Sequence, residues 1–211
     1  MGNSNMAARR GAKANRRKAI VAQKRNAGAS GETLGAQVAR AATTPILRCL
    51  LAENLFESGI GYLVLVRGVA IGQPAIAVFL LDPFCLGVRD VLFRTVDGPQ
   101  LAPVLDHLNG AAPLVPVDPG YARKLLRDLV QWAGALGIQP HQDFAVVERL
   151  FGDIDPQACH MAFEFGQAGK PLYVAGPMEP AMLVRQRINQ LSRRLGEGGF
   201  EYVVPVPKYG W

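Results

Sequence analysis

The first 26 residues of this sequence contain no acidic residue, and residues 1–42 contain no aromatic residue. A segment so poor in large apolar side chains cannot bury enough surface to offset the conformational entropy lost on ordering. We therefore predict that residues 1–42 form a basic arm that is disordered when free. Residues 43–211 are predicted to form the globular domain.

The arm is basic because eight positive side chains lie within residues 1–26. They are Arg9, Arg10, Lys13, Arg16, Arg17, Lys18, Lys24 and Arg25. Removing these eight from the 23 basic residues of the chain leaves 15 against 17 acidic residues, so the remaining 185 residues have a net charge of −2. Such asymmetry favours an anionic partner for the arm rather than for the whole surface.

Two kinds of partner fit this arm, and a third reading needs none. Clustered arginines and lysines suit the phosphate backbone of a nucleic acid, and a basic disordered arm slightly favours RNA over DNA. An anionic membrane is a weaker fit, because Ile20 and Val21 alone give little apolar anchoring. The third reading is a solvated charge run that only aids solubility.

Long hydrophobic runs are also missing. No stretch approaches the roughly 20 consecutive apolar residues that span a bilayer, and no apolar segment of secretory type follows the basic N-terminus. The three cysteines, Cys49, Cys85 and Cys159, are widely spaced and odd in number, so no disulfide framework is indicated. These features predict a cytoplasmic protein with no membrane partner, although an acid-free, Arg-rich N-terminus also fits an organellar transit peptide.

The body is predicted to begin with a helix and three strands. Thr44 and Pro45 form an N-cap and first-turn signal, and the apolar spacing after them predicts a helix ending near Ser58. Residues 61–69, 74–81 and 88–96 are predicted strands of an antiparallel meander. The proline-punctuated residues 97–120 are predicted to form a surface loop.

The second half of the body is predicted to contain more helix than strand. Asp118 caps a helix over residues 121–136, and shorter and longer helices follow at 143–151 and 179–195. Residues 161–165 and 172–175 are predicted to pair as a hairpin, with a last strand at 200–206. The fold class is therefore α+β: a mostly antiparallel sheet packed by three to four helices in a single compact domain.

Four blocks of the body resemble a family of bacterial proteins that carry similar blocks in this order. The blocks are ENLFESGIG (53–61), FLLDPFCLGVRD (79–90), FGDIDP (151–156) and FEFGQAGKPLYVAGP (163–177). The resemblance covers roughly residues 45–180 and implies a shared fold and a bacterial origin. It implies no activity. This sequence has AIGQ at 70–73, where a more polar turn containing Asp-Gly is expected.

Motifs for phosphate loops, nucleophile elbows and the usual zinc fingers are missing, so catalysis must be sought in looser groupings. Asp82, Cys85 and Asp90 follow an apolar strand, a common position for catalytic groups, and the neighbouring Arg89 could lower the pKa of the thiol. The simpler interpretation is structural: Asp82 starts a turn, and Cys85 packs as a small buried group that does not react.

A second grouping, Asp153, Asp155, Cys159 and His160, lies in GDIDPQACH. Two acids one residue apart can share a divalent cation, and the cysteine and histidine could join Cys85 or His141 around zinc. Neither spacing is diagnostic. Gly152 as a helix stop and Asp155 as the cap of a new turn explain the same residues, so no metal or cofactor is predicted.

These observations leave three hypotheses. The leading one is a non-enzymatic nucleic-acid-associated protein, on RNA or a ribonucleoprotein, that binds through its arm. The second is a metal-dependent hydrolase or nuclease with a carboxylate site at Asp82, Asp90, Asp153 and Asp155. The third is a protein-interaction module.

Overall fold

The computed structural model describes residues 32–68, 73–176 and 178–204. The predicted fold class is confirmed: a five-stranded antiparallel sheet and six helices form one compact α+β domain in the described residues. The strands of this sheet are β1 (Ile46–Ala52), β2 (Gly61–Arg67), β3 (Ala75–Asp82), β4 (Gly87–Thr95) and β5 (Leu114–Pro116), in the order β4-β3-β2-β1-β5. A separate parallel pair is formed by β6 (Leu172–Val174) and β7 (Glu201–Val203).

The helices of the described residues are few and unequal in length. They are α1 (Leu34–Ala42), α2 (Leu55–Ser58), α3 (Gly98–Ala111), α4 (Pro119–Ala135), α5 (Phe144–Val147) and α6 (Ala181–Leu195). Two 3₁₀ turns, Glu148–Phe151 and Pro156–Ala158, follow α5. No helix in the described part of the chain is long and apolar enough to cross a membrane.

Both faces of the five-stranded sheet are covered, because β2 and β3 are apolar at nearly every position. Alternate side chains of a strand point to opposite faces. Val64, Val66, Ile76 and Val78 form one face, where Leu101, Val104, Leu105 and Leu108 of α3 pack against them. On the other face Phe79 contacts Phe144 of α5 and Phe151, with ring centroids 6.3 and 6.4 Å apart.

A second apolar core lies beside the sheet. It joins the turn after β3, the C-terminal half of α4, strand β6 and helix α6 through Cys85, Leu86, Ala133, Leu136, Ile138, Tyr173, Ala175, Val184 and Leu191. Gly87 is required here, since its φ is +70° and an added Cβ would lie 2.6 Å from the Cβ of Ala133. The parallel pair β6–β7 is therefore attached to the rest of the domain through this core and α6.

The helix predicted after Thr44 is wrong, because Ile46–Ala52 is strand β1. Apolar residues at 46, 47, 50 and 51 fit a helix or a strand equally well over so short a segment. Pairing with β2 on one side and β5 on the other makes it a strand. Thr44 is not an N-cap: its hydroxyl donates to the carbonyl of Ala41 at the end of α1. Helix α1 itself lies in residues assigned to the arm, and Val38 and Ala41 are its buried positions.

The predicted loop at residues 97–120 is also wrong, because it contains α3 and β5. Pro99 lies in the first turn of α3, where no intrahelical N–H bond is lost, and Pro103 removes only one such bond. The apolar spacing at 101, 104, 105 and 108 outweighs that loss by burying one side of the helix on the sheet.

Predictions for the other elements are mostly confirmed. The strands near 61–69, 74–81, 88–96 and 172–175 and the helices near 121–136 and 179–195 are present. Residues 143–151 are half α-helix and half 3₁₀, and residues 161–165 are not a strand. Only the Gln167–Lys170 bridge remains of the predicted second hairpin. The turn at 69–72 lies outside the described residues, as do residues 205 and 206 of the predicted last strand.

We expect Asp118→Ala to lower the free energy of unfolding by about 1 kcal/mol, through loss of the N-cap of α4. The Asp118 carboxylate accepts the backbone N–H groups of Gly120 and Tyr121, at 2.8 and 3.0 Å. Asp97 precedes α3 in the same way but makes no side-chain capping bond. Asp97→Ala is therefore the matched control and should cost less than about 0.5 kcal/mol in urea unfolding; equal losses would contradict the capping role.

Candidate functional site

The first predicted catalytic residue, Asp82, ends β3 as the cap of a turn. Its side chain is buried, and one carboxylate oxygen accepts the backbone N–H of Cys85 at 2.9 Å. Burial raises the pKa of Asp82, although hydrogen bonds from the following turn and the charge of Arg89, 3.9 Å away, act against the rise. These contacts support the turn interpretation of Asp82.

Cys85 is fully buried in the second core, as the structural interpretation predicted. Burial raises the pKa of its thiol to about 12, with the charge of Asp82 adding to the rise. The thiolate is the reactive form of cysteine, and a thiol with this pKa stays protonated near neutral pH. Cys49, buried on β1, has its pKa raised to about 12 in the same way.

We expect thiol labelling of the native protein to modify Cys159 first, since it is the partly exposed cysteine of the three. Cys49 and Cys85 should label only when the protein unfolds, because burial blocks access and keeps both thiols protonated. Mass spectrometry after brief labelling at pH 7.5, with and without urea, measures this order. Rapid native labelling of Cys85 would show that the buried position is wrong and would reopen nucleophilic chemistry.

The other three carboxylates each have a separate environment. Asp90 is exposed on β4, accepts the N–H of Val91 at 2.8 Å and lies 3.6 Å from His141 Nε2. Asp155 accepts the N–H of Gln157 at 2.9 Å and starts the 3₁₀ turn at Pro156, as predicted for a cap. Asp153 is exposed in the turn after Gly152.

The structure does not gather these residues into a metal site. Within the described ranges, no group of three or more His, Cys, Asp or Glu side chains is placed to hold a metal ion. Cys159 and His160 lie after the 3₁₀ turn, whereas Cys85 lies in the second core. Of the carboxylates in the hydrolase hypothesis, Asp82 and Asp155 thus cap turns, Asp90 contacts Val91 and His141, and Asp153 is exposed.

The FGDIDP block owes its shape to two buried arginines. Arg67, at the end of β2, donates to the carbonyls of Leu150 and Phe151 at 2.6 and 2.7 Å and to that of Thr44. Arg123 of α4 donates to the carbonyls of Gly152 and Ile154 at 2.9 and 2.6 Å. The end of a 3₁₀ turn and the irregular chain after it thus have their carbonyls satisfied by side chains, which accounts for the block without catalysis.

Glu148 neutralises the second of these arginines. Its Oε1 lies 2.6 Å from Arg123 Nε and 3.0 Å from Arg127 Nε. Burial alone would raise the pKa of Glu148, but the hydrogen bonds and charges of Arg123 and Arg127 hold it below the ordinary value of 4.5. A group with a lowered folded pKa stabilises the protein above that ordinary value and loses its contribution as the pH falls through the folded pKa.

We therefore expect Glu148→Gln to lower the free energy of unfolding by about 2 kcal/mol at pH 7. The variant should also lose less stability than the parent between pH 5 and pH 3, because the titrating carboxylate is gone. Urea unfolding across this range measures both effects. Glu164→Gln removes an exposed carboxylate and is the control, expected within about 0.5 kcal/mol of the parent. A parallel loss of stability with pH in parent and Glu148→Gln would contradict this role.

A third ionic group, which the sequence analysis missed, joins β6 to α6. Glu179 accepts the hydroxyl of Tyr173 at 3.0 Å and the N–H of Gly176 at 2.9 Å, and its other oxygen lies 3.1 Å from Arg187 Nε. Burial and the neighbouring Glu179 raise the pKa of Tyr173 well above its usual value. Arg187 is thereby the neutralised arginine of α6, and no spacing motif in the sequence marks it.

The remaining arginines of α6 form a basic groove. Helix α6 contains four arginines and no acid. Arg185, Arg193 and Arg194 are exposed and line a groove of about 710 Å³ together with Leu136 and Gly137 after α4. Arg194 Nε donates to the carbonyl of Ala135 at 3.0 Å and so links α6 to the end of α4 at the groove. We call this surface the α6 groove; it concentrates positive charge on a body whose average charge is slightly negative.

A band of rings lies along α4. Phe163 stacks on Phe56 and Phe165 and meets Tyr121 edge-on, with centroids 6.2, 6.2 and 5.1 Å apart. Phe165 continues the band to Trp132 at 6.0 Å. Residues 161–165 alternate as a strand does but form none, and both phenylalanines instead contact rings of α4.

This band, which we call the aromatic band, is half-buried and carries a positive charge. Lys124 Nζ lies 5.4 Å from the centroid of the Phe163 ring. Tyr121, Lys124 and Trp132 are spaced by three and then eight residues, so they lie on one side of α4. The turn after Trp132 ends at Leu136, which lines the α6 groove. No sequence motif marks the band, because its rings come from three separate segments: α2, α4 and residues 161–165.

All eight arm residues proposed to bind nucleic acid, from Arg9 to Arg25, lie outside the described residues, so their role stays a prediction. Compared with protein-family models, curated proteins and solved structures, the chain matches none. The resemblance to a bacterial family likewise stays a prediction.

Proposed function

We propose that the protein is non-enzymatic and binds nucleic acid, preferentially single-stranded RNA, through the phosphate backbone. The observation that carries this proposal is the row of exposed arginines on α6, a helix without a single acidic residue. The eight basic residues of the arm add to it from the sequence. Arginine presents a rigid fork of donors that matches phosphate oxygens, which favours it for this contact.

The spacing of the row suits an extended polyanion. Arg185 and Arg193 are eight residues apart, which is about 12 Å along a helix. Charges on one nucleic-acid strand repeat about every 3.4 Å along the duplex axis, so the two guanidinium groups reach different phosphates. Arg187 is excluded from this surface because Glu179 already neutralises it.

The aromatic band supports RNA in single-stranded form. Bases stack on aromatic faces with little regard to sequence, and single-stranded RNA exposes its bases for this contact. The arm has no aromatic residue, so stacking must come from the body. Trp132 lies one turn of α4 before Leu136, and therefore joins the aromatic band to the α6 groove.

The hydrolase alternative has less support. Asp82 and Asp155 already accept backbone N–H groups, and Asp90 lies at the exposed edge of the sheet. Hydrolysis assisted by two metals needs carboxylates that converge on one point. The separate partners of these residues favour binding over catalysis.

We expect a fluorescent 20-nucleotide single-stranded RNA to bind the full chain with a strong salt dependence. Five engaged charges predict a slope of log K against log salt of about −3.5, and each contact removed reduces its size by about 0.7. Arg16, Arg17 and Lys18 together replaced by alanine should reduce the size of the slope by about 2. Arg185→Gln with Arg193→Gln should reduce it by about 1.4.

The matched control is Arg48→Gln with Arg149→Gln, which removes two exposed arginines from other parts of the body. This pair should leave the slope unchanged, because the contacts are local rather than a property of net charge. Fluorescence anisotropy at several salt concentrations makes the comparison. Binding without salt dependence, or equal weakening by the control pair, would contradict the proposal. An effect of the arm without one of α6 would restrict the interface to the arm.

A further inference from the structure

A second groove lies on the opposite side of the sheet from α4, between β4 and α3. Its volume is about 600 Å³. Leu80 and Leu92 of the sheet and Val104 of α3 give it apolar walls, and Pro103 of α3 is exposed in it. Asp90, Val91 and Leu92 are consecutive lining residues, so the backbone of β4 as well as its side chains faces this space. We call it the β4–α3 groove.

The strand that borders this groove is the edge of the sheet. β4 pairs with β3 and with no other strand in the described ranges. Val96 N donates to the carbonyl of Pro74 at 2.9 Å, and Thr95 is the partner of Ala75. In an antiparallel pair, bonded and non-bonded residues alternate, so the N–H and carbonyl groups of Val91, Phe93 and Thr95 point away from β3.

Part of this edge is already occupied. The N–H of Val91 donates to the carboxylate of Asp90, and the carbonyl of Val88 accepts the N–H of His141 at 3.0 Å. Among the described residues, the structure gives no hydrogen-bond partner to the outward backbone groups of Phe93 and Thr95. The open part of the edge therefore lies at the end of β4 where Arg94 lines the groove.

The charges of the groove are unequal. Asp90 is the one acid among its lining residues, and it already accepts the N–H of Val91 and lies near His141. Arg94 is exposed and makes no ion pair with any described residue. The open charge of the groove is thus positive and complements a carboxylate.

We propose that the β4–α3 groove binds an extended peptide segment of a partner protein as a sixth strand of the sheet. The peptide backbone pairs with the outward groups of Phe93 and Thr95. An apolar side chain enters the groove against Leu92 and Val104, and an acidic side chain two residues away pairs with Arg94, because alternate residues of a strand share one side. This site is separate from the proposed nucleic-acid surface and does not depend on it.

The test is selection of random octapeptides displayed on phage against the full chain, followed by calorimetry with the synthesised peptide. We expect selected peptides to share an apolar residue and an acid two positions apart. Leu92→Glu should weaken binding at least tenfold. Leu47→Glu changes an exposed leucine on β1 outside the groove and should alter binding less than twofold.

Backbone pairing is tested separately from the groove. Thr95→Pro removes an outward N–H that β3 does not use, and proline is tolerated on edge strands. We expect at least tenfold weaker binding with the melting temperature retained. N-methylation of the peptide amide that pairs with the edge should weaken binding equally, and it leaves the protein untouched should Thr95→Pro fail to fold. Arg94→Glu should reverse the preference, so that a peptide with lysine in place of its acid binds the variant better.

Three outcomes would overturn the proposal. The first is a selection that enriches no peptide. The second is a peptide that binds Leu92→Glu and the parent equally, or that tolerates N-methylation. The third is a dimer of the full chain in sedimentation that Leu92→Glu dissociates, which would make a second copy the occupant.

Discussion

The arrangement of the domain depends on the hydrogen bonds that the guanidinium group of Arg67 donates. This group lies buried at the end of β2 and donates to the carbonyl of Thr44 after α1 and to those of Leu150 and Phe151 after α5. A buried charge is costly unless several acceptors surround it. The acceptors here are main-chain oxygens, so a buried charge fixes three segments to each other.

Gly152 shows how closely the chain fits around this group. Its φ of +65° is a backbone angle that glycine adopts readily and other residues rarely do. An added Cβ would lie 2.9 Å from Arg67 Nη2 and 3.2 Å from the carbonyl oxygen of Ala42. Arg123 of α4 donates to the carbonyl of Gly152 and pairs with Glu148, so this segment is also bound to α4. The segment from Leu150 to Ile154 leaves a 3₁₀ turn and continues as irregular chain, and two arginines satisfy four of its carbonyls. Phe151 can therefore pack against Phe79 in the core.

The contrast between α4 and β1 shows how far the sequence determines the fold. Helix α4 is 17 residues long, with its own cap at Asp118 and an unbroken apolar side, so local signals agree and the helix is predictable. Strand β1 has seven residues whose spacing fits two elements, and its position between β2 and β5 is known only when the sheet is assembled. Helix α3 contains two prolines, which favour a loop locally, and its apolar residues at helical spacing outweigh them only when the sheet is there to cover them. The same limit applies to function: the α6 groove and the aromatic band join residues far apart in the chain, whereas the acids that looked catalytic were neighbours in sequence.

The parallel pair β6–β7 has a consequence for the order in which the domain opens. Each strand has three residues, and the chain between them includes the whole of α6, so the pair closes a loop rather than a tight turn. Loop closure costs entropy, and the backbone pairing that helps to offset it here has only three positions, beside the side-chain contacts of the second core. Units with few backbone pairs open at lower free energy than the central sheet, and their amides exchange with solvent without global unfolding. The arginines of α6 thus lie on a layer with fewer backbone pairs than the five-stranded sheet, and we expect that layer to open first.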